Sequence, residues 1–136
     1  MEQIISKNQN QTEQLGQKLA QKYLNTGEII LLFGGLGAGK TSFVRGFVKG
    51  LGISKTVSSP TFVLHKIYDR VHHFDLYRVE DPGQFAMLGF DELAANYPNS
   101  IFLIEWPENA GIEFKNSVKI TFTKGKENNE RIITIG

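Results

Sequence analysis

The chain has 136 residues, 40% of them hydrophobic and 21% charged, which is ordinary for one globular domain. Fifteen basic and fourteen acidic residues give a formal net charge of +1, which excludes a general attraction to DNA, RNA or an anionic membrane. The absence of cysteine excludes disulfides and thiolate metal sites. The N-terminus lacks a leader pattern and no apolar run is long enough to span a bilayer. We therefore expect a cytoplasmic protein in which residues 1–136 form a single domain.

The first predicted element is a helix that begins at Asn10 and ends near Gly27. Asn10 and Glu13 have the spacing of an N-cap and its capping-box partner. Apolar residues then recur at helical spacing: Leu15, Leu19, Tyr23 and Leu24.

An apolar strand over residues 28–33 leads into a glycine-rich loop that fits G-x-x-x-x-G-K-[ST], with Gly34, Gly39, Lys40 and Thr41 at the fixed positions. The glycines permit positive φ and leave room for backbone N–H groups to surround a β-phosphate. The ammonium of Lys40 is placed to reach the β- and γ-phosphate oxygens, and the hydroxyl of Thr41 to bind Mg²⁺. The loop therefore predicts a nucleoside triphosphate as the ligand.

A second helix is predicted directly after this loop. Its positive dipole end then points at the phosphate. The stop signals are Gly50 and Gly52, and the apolar positions are Phe43, Val44, Phe47, Val48 and Leu51.

The following segment is predicted as a polar loop over 55–61 and a hairpin of strands 62–68 and 71–75, with its turn at Asp69 and Arg70. Pro82 suits the first turn of a short helix.

The last third of the chain carries strand patterns. Residues 101–104 are continuously apolar, as in a strand buried on both faces of a parallel sheet. Residues 117–123 and 131–135 alternate and flank a polar turn, so they predict a closing hairpin. The order indicates an α/β fold: a P-loop NTPase-like domain with a mixed, mostly parallel sheet, helices on both faces and a C-terminal β-hairpin.

Two carboxylates at strand ends are candidates for the second half of a phosphate site. Glu105 ends the buried strand and is favoured as the magnesium-side carboxylate, against a surface carboxylate at a strand exit. Asp75 ends a strand that carries two histidines, and this strand is therefore expected to be half exposed. Its alternative role is to accept hydrogen bonds from Tyr77 or Arg78.

Other polar residues have less specific patterns. Residues 58–61 lie where phosphate-loop proteins place a nucleotide-sensing segment, but Ser-Pro is also an ordinary turn signal. Arg78 is a candidate arginine finger or an ion-pair partner of Asp75. Trp106 follows Glu105, so its fluorescence is expected to report nucleotide binding even if it only packs. For the three histidines, His65, His72 and His73, a structural or surface role is expected because metal-ligand spacing is lacking.

Four motifs occur in the order of a known family: residues 34–41, then Ser-Pro-Thr-Phe at 59–62, His-Phe-Asp-Leu-Tyr-Arg at 73–78 and Glu-Trp-Pro at 105–107. Together they resemble the bacterial TsaE family, also called YjeE. The resemblance implies an ATPase, weakly active alone, that works with TsaB-like and TsaD-like proteins in threonylcarbamoyladenosine modification of tRNA. It implies ATP or ADP and Mg²⁺ as cofactors, and contact with tRNA only through the partners.

The resemblance also implies roles for individual residues. Thr41 and Glu105 become the magnesium-side pair, and Asp75 a residue at the γ-phosphate. The expected catalytic residues are Lys40, Asp75 and Glu105, and the possible switch residues are Ser59, Thr61 and Trp106. The base is expected near Gln9 and Thr12 and the loop 125–128. The phosphates and nucleotide are expected at Leu36, Gly37, Ala38, Gly39, Lys40, Thr41 and Ser42.

Two other functions remain open from the sequence. A small-molecule kinase shares the phosphate loop, although no segment suggests an Arg-rich lid. The second open function is a binding module gated by nucleotide, in which hydrolysis is not productive. A regulatory GTPase is disfavoured because no Asn-Lys-x-Asp tetrapeptide occurs.

Overall fold

A computed structural model describes residues 1–58 and 64–136, which form seven strands, four α-helices and one 3₁₀ turn. Ser59, Thr61 and the start of the predicted hairpin at residue 62 lie outside the described residues. The strands are β1 (Glu2–Ser6), β2 (Ile29–Phe33), β3 (His65–Tyr68), β4 (Val71–Asp75), β5 (Ile101–Glu105), β6 (Ser117–Lys124) and β7 (Arg131–Ile135). The helices are α1 (Gln9–Lys22), α2 (Lys40–Gly50), α3 (Pro82–Ala86) and α4 (Phe90–Asn96), and a 3₁₀ turn spans Pro107–Ala110.

In these residues the strands form one mixed sheet in the order β1-β7-β6-β2-β5-β4-β3. The four middle strands, β6, β2, β5 and β4, are mutually parallel, and antiparallel strands extend the sheet at both sides. The predicted α/β fold class, the hairpin turning at Asp69 and Arg70, the buried strand at 101–104 and the closing hairpin are all confirmed.

Each face of the sheet carries its own apolar core. Helices α1 and α2 contribute Leu19, Phe43 and Phe47 to the core on one face. Helices α3 and α4 contribute Phe85 and Phe90 to the core on the other. Helices therefore cover both faces, as predicted.

Three glycines bring α1 and α2 into backbone contact. A Cβ atom at Gly46 would lie 1.8 Å from the carbonyl oxygen of Glu13, and one at Gly16 would lie 2.3 Å from the carbonyl oxygen of Phe43. At Gly50 the nearest atom, the Gln17 carbonyl oxygen, would be 2.6 Å away. Any side chain at these positions would force the two helices apart.

The predicted start of α1 is wrong by two residues. Asn8, not Asn10, is the N-cap, and its side chain accepts a hydrogen bond from the Gln11 backbone N–H at 2.9 Å. Ser6 fixes this cap because its hydroxyl donates to the Asn8 carbonyl oxygen at 2.8 Å. Strand β1, which ends at Ser6, was not predicted, because its pairing with β7 supplies a tertiary contact that local pattern does not show.

The expectation that β4 is half exposed is also wrong. Its residues 71–74 are buried, because β4 lies between β3 and β5 and its imidazoles pack like aromatic rings. His72 stacks on Phe102 with ring centroids 4.8 Å apart, and His65 of β3 stacks on Phe74 at 4.1 Å. The histidines of β3 and β4 therefore take part in core packing and do not indicate a solvent-exposed face of the sheet.

Unfolding should depend on pH through His65. Burial, with the neighbouring His72 and His73, lowers the pKa of His65 from 6.5 to about 4, and burial also lowers the pKa of His72. Below pH 6.5 the unfolded chain binds protons that the native state does not, so the free energy of unfolding should fall. We expect a loss of about 1 to 2 kcal/mol between pH 7 and pH 5 in urea titrations.

His65→Phe is the control for this prediction, since it keeps a ring on Phe74 and removes one titrating group. Its unfolding free energy should vary less between the two pH values. A free energy of unfolding of the wild type that stays constant between pH 7 and pH 5 would contradict the lowered pKa of His65.

Candidate nucleotide site

The carboxyl ends of three neighbouring parallel strands meet at one edge of the sheet. Strand β2 leads into the glycine-rich loop, and β4 and β5 end in Asp75 and Glu105. These two residues are directly paired in the β4–β5 register, while Glu105 is also the partner of Leu32 in β2. Parallel pairing thus brings together two acidic residues that are 30 positions apart in the chain.

A cleft of about 600 Å³ opens at this edge, a volume typical of small-molecule sites. Most of the predicted site residues within the described part of the chain lie in its wall, whereas the predicted loop 125–128 does not. The predicted residues that line the cleft are Gln9, Leu36, Gly37, Ala38, Gly39, Lys40, Thr41, Ser42, Asp75, Glu105 and Trp106. Arg78, the candidate arginine finger, also lines it.

The loop itself has the conformation that glycines allow. Gly37 and Gly39 adopt φ of +73° and +103°, which disfavour other residues, and α2 begins immediately after, at Lys40. The Ala38 N–H donates to the Gly35 carbonyl oxygen at 3.3 Å. The first turn of α2, with its unpaired N–H groups, therefore faces the cleft as an anion-binding end.

Lys40 lies inside the loop and is 5% exposed. Its Nζ donates to the Gly34 carbonyl oxygen at 2.5 Å and lies 4.2 Å from the centroid of the Trp106 ring. Burial lowers the pKa of Lys40, and the charges of Glu105 and Asp75 oppose that shift. The ammonium is therefore poorly hydrated and ready to exchange a carbonyl partner for an anion.

Glu105 is buried, with 3% exposure, which excludes its alternative interpretation as a surface carboxylate. Its Oε2 lies 2.5 Å from Nε2 of His73, a residue that is fully buried. Nδ1 of His73 has no hydrogen-bond partner among the described residues. A proton on Nε2 lets the imidazole donate to the carboxylate and fix its position. A surface role for His73 is thereby excluded.

Asp75 is less enclosed than Glu105. Its Oδ1 accepts a hydrogen bond from the Tyr77 backbone N–H at 3.1 Å, so the predicted acceptor role towards Tyr77 is confirmed. Burial raises the pKa of Asp75, with the Glu105 carboxylate adding to the rise. Asp75 therefore combines a structural hydrogen bond with a position in the cleft wall.

The oxygen donors of this cleft suit magnesium. A hydroxyl and two carboxylates, from Thr41, Asp75 and Glu105, line it, and magnesium prefers hard oxygen ligands. The described residues contain no group of three or more His, Cys, Asp or Glu side chains that would hold a metal alone. The donor set thus fits a cation shared with bound phosphates rather than a metal held by protein ligands only.

The rest of the cleft wall is built from residues that the sequence analysis only partly identified. Gln9 and Thr12 of α1 line it, as predicted. The loop 125–128 is not in the wall, and Asn129 and Arg131, slightly later in the chain, are. Leu64 and Tyr77 were missed too: Leu64 lies in none of the four motifs, and Tyr77, within the motif at 73–78, was considered only as a hydrogen-bond partner of Asp75.

Trp106, in the wall of the cleft, has an unusual backbone conformation. Trp106 has φ of +55°, a conformation rare for a bulky residue, and its ring lies 4.9 Å from that of Tyr77.

In the described residues, no helix combines the length and apolar character that crossing a membrane would require.

The chain is similar to several known proteins. It is 41% identical over 93 residues to the tRNA threonylcarbamoyladenosine biosynthesis protein TsaE of Bacillus subtilis, covering 65% of this chain and 56% of that protein. The protein of the same name from Synechocystis sp. is 42% identical over 110 residues, covering 73% and 66% respectively. The chain thus spans less than two thirds of the length of these curated relatives.

A solved structure has the same architecture. The crystal structure of YdiB from Bacillus subtilis superposes with a TM-score of 0.75 at 30% identity, over 98% of this chain and 83% of that one. The family described as "Threonylcarbamoyl adenosine biosynthesis protein TsaE" matches residues 6–133. With residues 6–133 matched, which is nearly its whole length, the chain belongs to the TsaE family.

Proposed function

We propose that the protein binds and hydrolyses ATP as an accessory factor in threonylcarbamoyladenosine modification of tRNA, together with TsaB-like and TsaD-like proteins in the cytoplasm. The observation that carries the proposal is the meeting of a phosphate loop with two carboxylates, Asp75 and Glu105, at the ends of neighbouring strands. Membership of the TsaE family and the names of its relatives supply the biological context.

Each residue has a distinct task in this proposal. Backbone N–H groups at the start of α2 and the ammonium of Lys40 hold the phosphates. Magnesium, when bound, neutralises charge that develops on the phosphates, and Thr41 and Glu105 would hold it. Asp75 orients the attacking water at the γ-phosphate side, and its raised pKa suits partial proton acceptance.

The supporting argument for ATP hydrolysis rather than passive binding is the enclosure of Glu105. Burying the charge of Glu105 costs folding free energy, and the one hydrogen bond from His73 offsets only part of that cost. Such a carboxylate is typical of a site where it binds a cation or transfers a proton during a reaction. Contact with tRNA is assigned to the partner proteins, because the net charge of +1 gives no general attraction to nucleic acid.

Replacing Lys40 by alanine tests the site. We expect Lys40→Ala to weaken ATP and ADP binding about 10- to 100-fold, since charge-assisted hydrogen bonds to the phosphates are lost. The measurement is nucleotide titration followed by Trp106 fluorescence, with ATP turnover measured alone and with purified TsaB-like and TsaD-like proteins of the same organism. Turnover should rise with the partners for the wild type and not for the variant.

Lys49→Ala is the matched control, because Lys49 lies on the same helix with 66% of its side chain exposed and pairs with Glu13 at 3.4 Å. It should bind nucleotide as the wild type does. Wild-type protein that fails to bind ATP or ADP at millimolar concentration with magnesium would overturn the proposed function.

A further inference from the structure

Arg131 connects the phosphate loop to the loop between β6 and β7. It is the first residue of β7, is partly buried and lines the cleft. Its guanidinium donates to the carbonyl oxygens of Asn128 at 2.7 Å, of Glu130 at 2.9 Å and of Gly37 at 2.9 Å. One side chain therefore holds carbonyl groups from two segments that are about ninety residues apart in the chain.

The bond to Gly37 acts on a part of the loop that has little packing. A Cβ placed at Gly35 or Gly37 would meet no atom within 4 Å, so the loop tip stands in open space. The peptide group between Gly37 and Ala38 is instead held at both ends. Its carbonyl accepts from Arg131 and its N–H donates to the Gly35 carbonyl oxygen. Rotation of this peptide group would break both bonds.

The charge of Arg131 is a second contribution to the cleft. Its three carbonyl partners are neutral, so these bonds leave the full positive charge beside the loop. The side chain also lies near the start of α2, since its Cγ is 3.8 Å from the position that a Cβ of Gly39 would take. A polyphosphate in the cleft would approach this charge.

We propose that Arg131 is a positioning residue for the nucleotide, which holds the phosphate loop in its binding shape and makes the 125–130 loop respond to phosphate binding. The inference rests on the proposed function, because it assumes that the cleft takes ATP or ADP. We call the hydrogen bond from Arg131 to the Gly37 carbonyl oxygen the clamp. Without it the phosphate loop is free to sample other conformations, and ordering that loop again costs binding free energy.

Three variants test the clamp. Arg131→Gln should weaken ADP binding about tenfold, equivalent to about 1.4 kcal/mol. Arg131→Lys keeps the charge but lacks the planar fork of donors, so it should recover less than half of that loss on a logarithmic scale. Lys124→Gln is the matched control, because Lys124 is exposed and pairs with Arg131 in the β6–β7 register, and it removes the same charge. It should bind ADP as the wild type does.

Hydrogen exchange adds a measurement that a merely structural role would not change. ADP should protect the amides of residues 125–130 in the wild type and fail to protect them in Arg131→Gln, while the melting temperatures without nucleotide agree within about 3 °C. Equal ADP affinity of wild type and Arg131→Gln, or full rescue by Arg131→Lys, would overturn the clamp. Absence of ADP binding by the wild type would instead overturn the proposed function, so the two failures are distinguishable.

Discussion

Replacement of Glu105 by glutamine is expected to lower ATP turnover at least about 100-fold while leaving ADP affinity within about threefold of the wild-type value. Glutamine has nearly the same shape as glutamate and still offers an oxygen to the Nε2–H of His73, which lies 2.5 Å from the carboxylate. The change therefore removes one negative charge from the cleft without opening a cavity. Because the proposed function uses that charge on the magnesium side during hydrolysis, turnover should fall far more than binding does.

Glu108→Gln provides the comparison for this experiment. Glu108 is exposed on the 3₁₀ turn, and its charge also acts on Lys40, but it is not in the cleft wall. It should retain most of the turnover. Partner binding by Glu105→Gln, measured in the presence of ATP, separates hydrolysis from nucleotide gating. Modification of tRNA that proceeds normally with Glu105→Gln would favour the nucleotide-gated binding module over the ATPase.

Gly46→Ala is expected to destabilise the protein by more than about 3 kcal/mol or to prevent folding. The added methyl group would lie 1.8 Å from the Glu13 carbonyl oxygen, and the neighbouring atoms are backbone that cannot rotate away. Helix propensity alone would predict the opposite sign, since alanine is favoured over glycine by about 1 kcal/mol in a helix. Urea unfolding of the variant thus measures which effect dominates.

Lys49→Ala serves again as the control, since it lies on the exposed side of the same helix. Its free energy of unfolding should lie within about 0.5 kcal/mol of the wild-type value. A Gly46→Ala protein as stable as the wild type would show that α1 and α2 separate easily, contrary to the close contact seen here.

The phosphate half of the site could be predicted because its chemistry is encoded locally. The spacing of Gly34, Gly39, Lys40 and Thr41 specifies one loop with one ligand class, and the strand and helix around it follow from short periodic patterns. The position of Glu105 at the cleft could be predicted for a similar reason, since an uninterrupted apolar run indicates a central strand and its end indicates the crevice.

The remainder of the site depends on pairings between distant segments. Arg131 lies beside Gly37 only because β7 pairs with β6 and β6 pairs with β2. His73 reaches Glu105 because the β4–β5 register places both on the same face, and no local pattern fixes a register. The burial of β4 was mispredicted for the related reason that histidine counts as polar in a pattern, although here it stacks on aromatic rings.

The contact between α1 and α2 has a consequence for recognition of the nucleotide. Gln9 and Thr12, at the start of α1, form one wall of the cleft, and Lys40 and Thr41, at the start of α2, form another. Gly46 lies about 9 Å along α2 from Lys40, by the rise of an α-helix. Thr12 lies directly beside the phosphate loop, since its Cγ2 is 3.6 Å from the position that a Cβ of Gly39 would take, so the helix contact sets where this part of the cleft wall stands relative to the loop. The placement of Gln9 and Thr12 beside the loop therefore depends on three glycines, Gly16, Gly46 and Gly50, that do not line the cleft themselves.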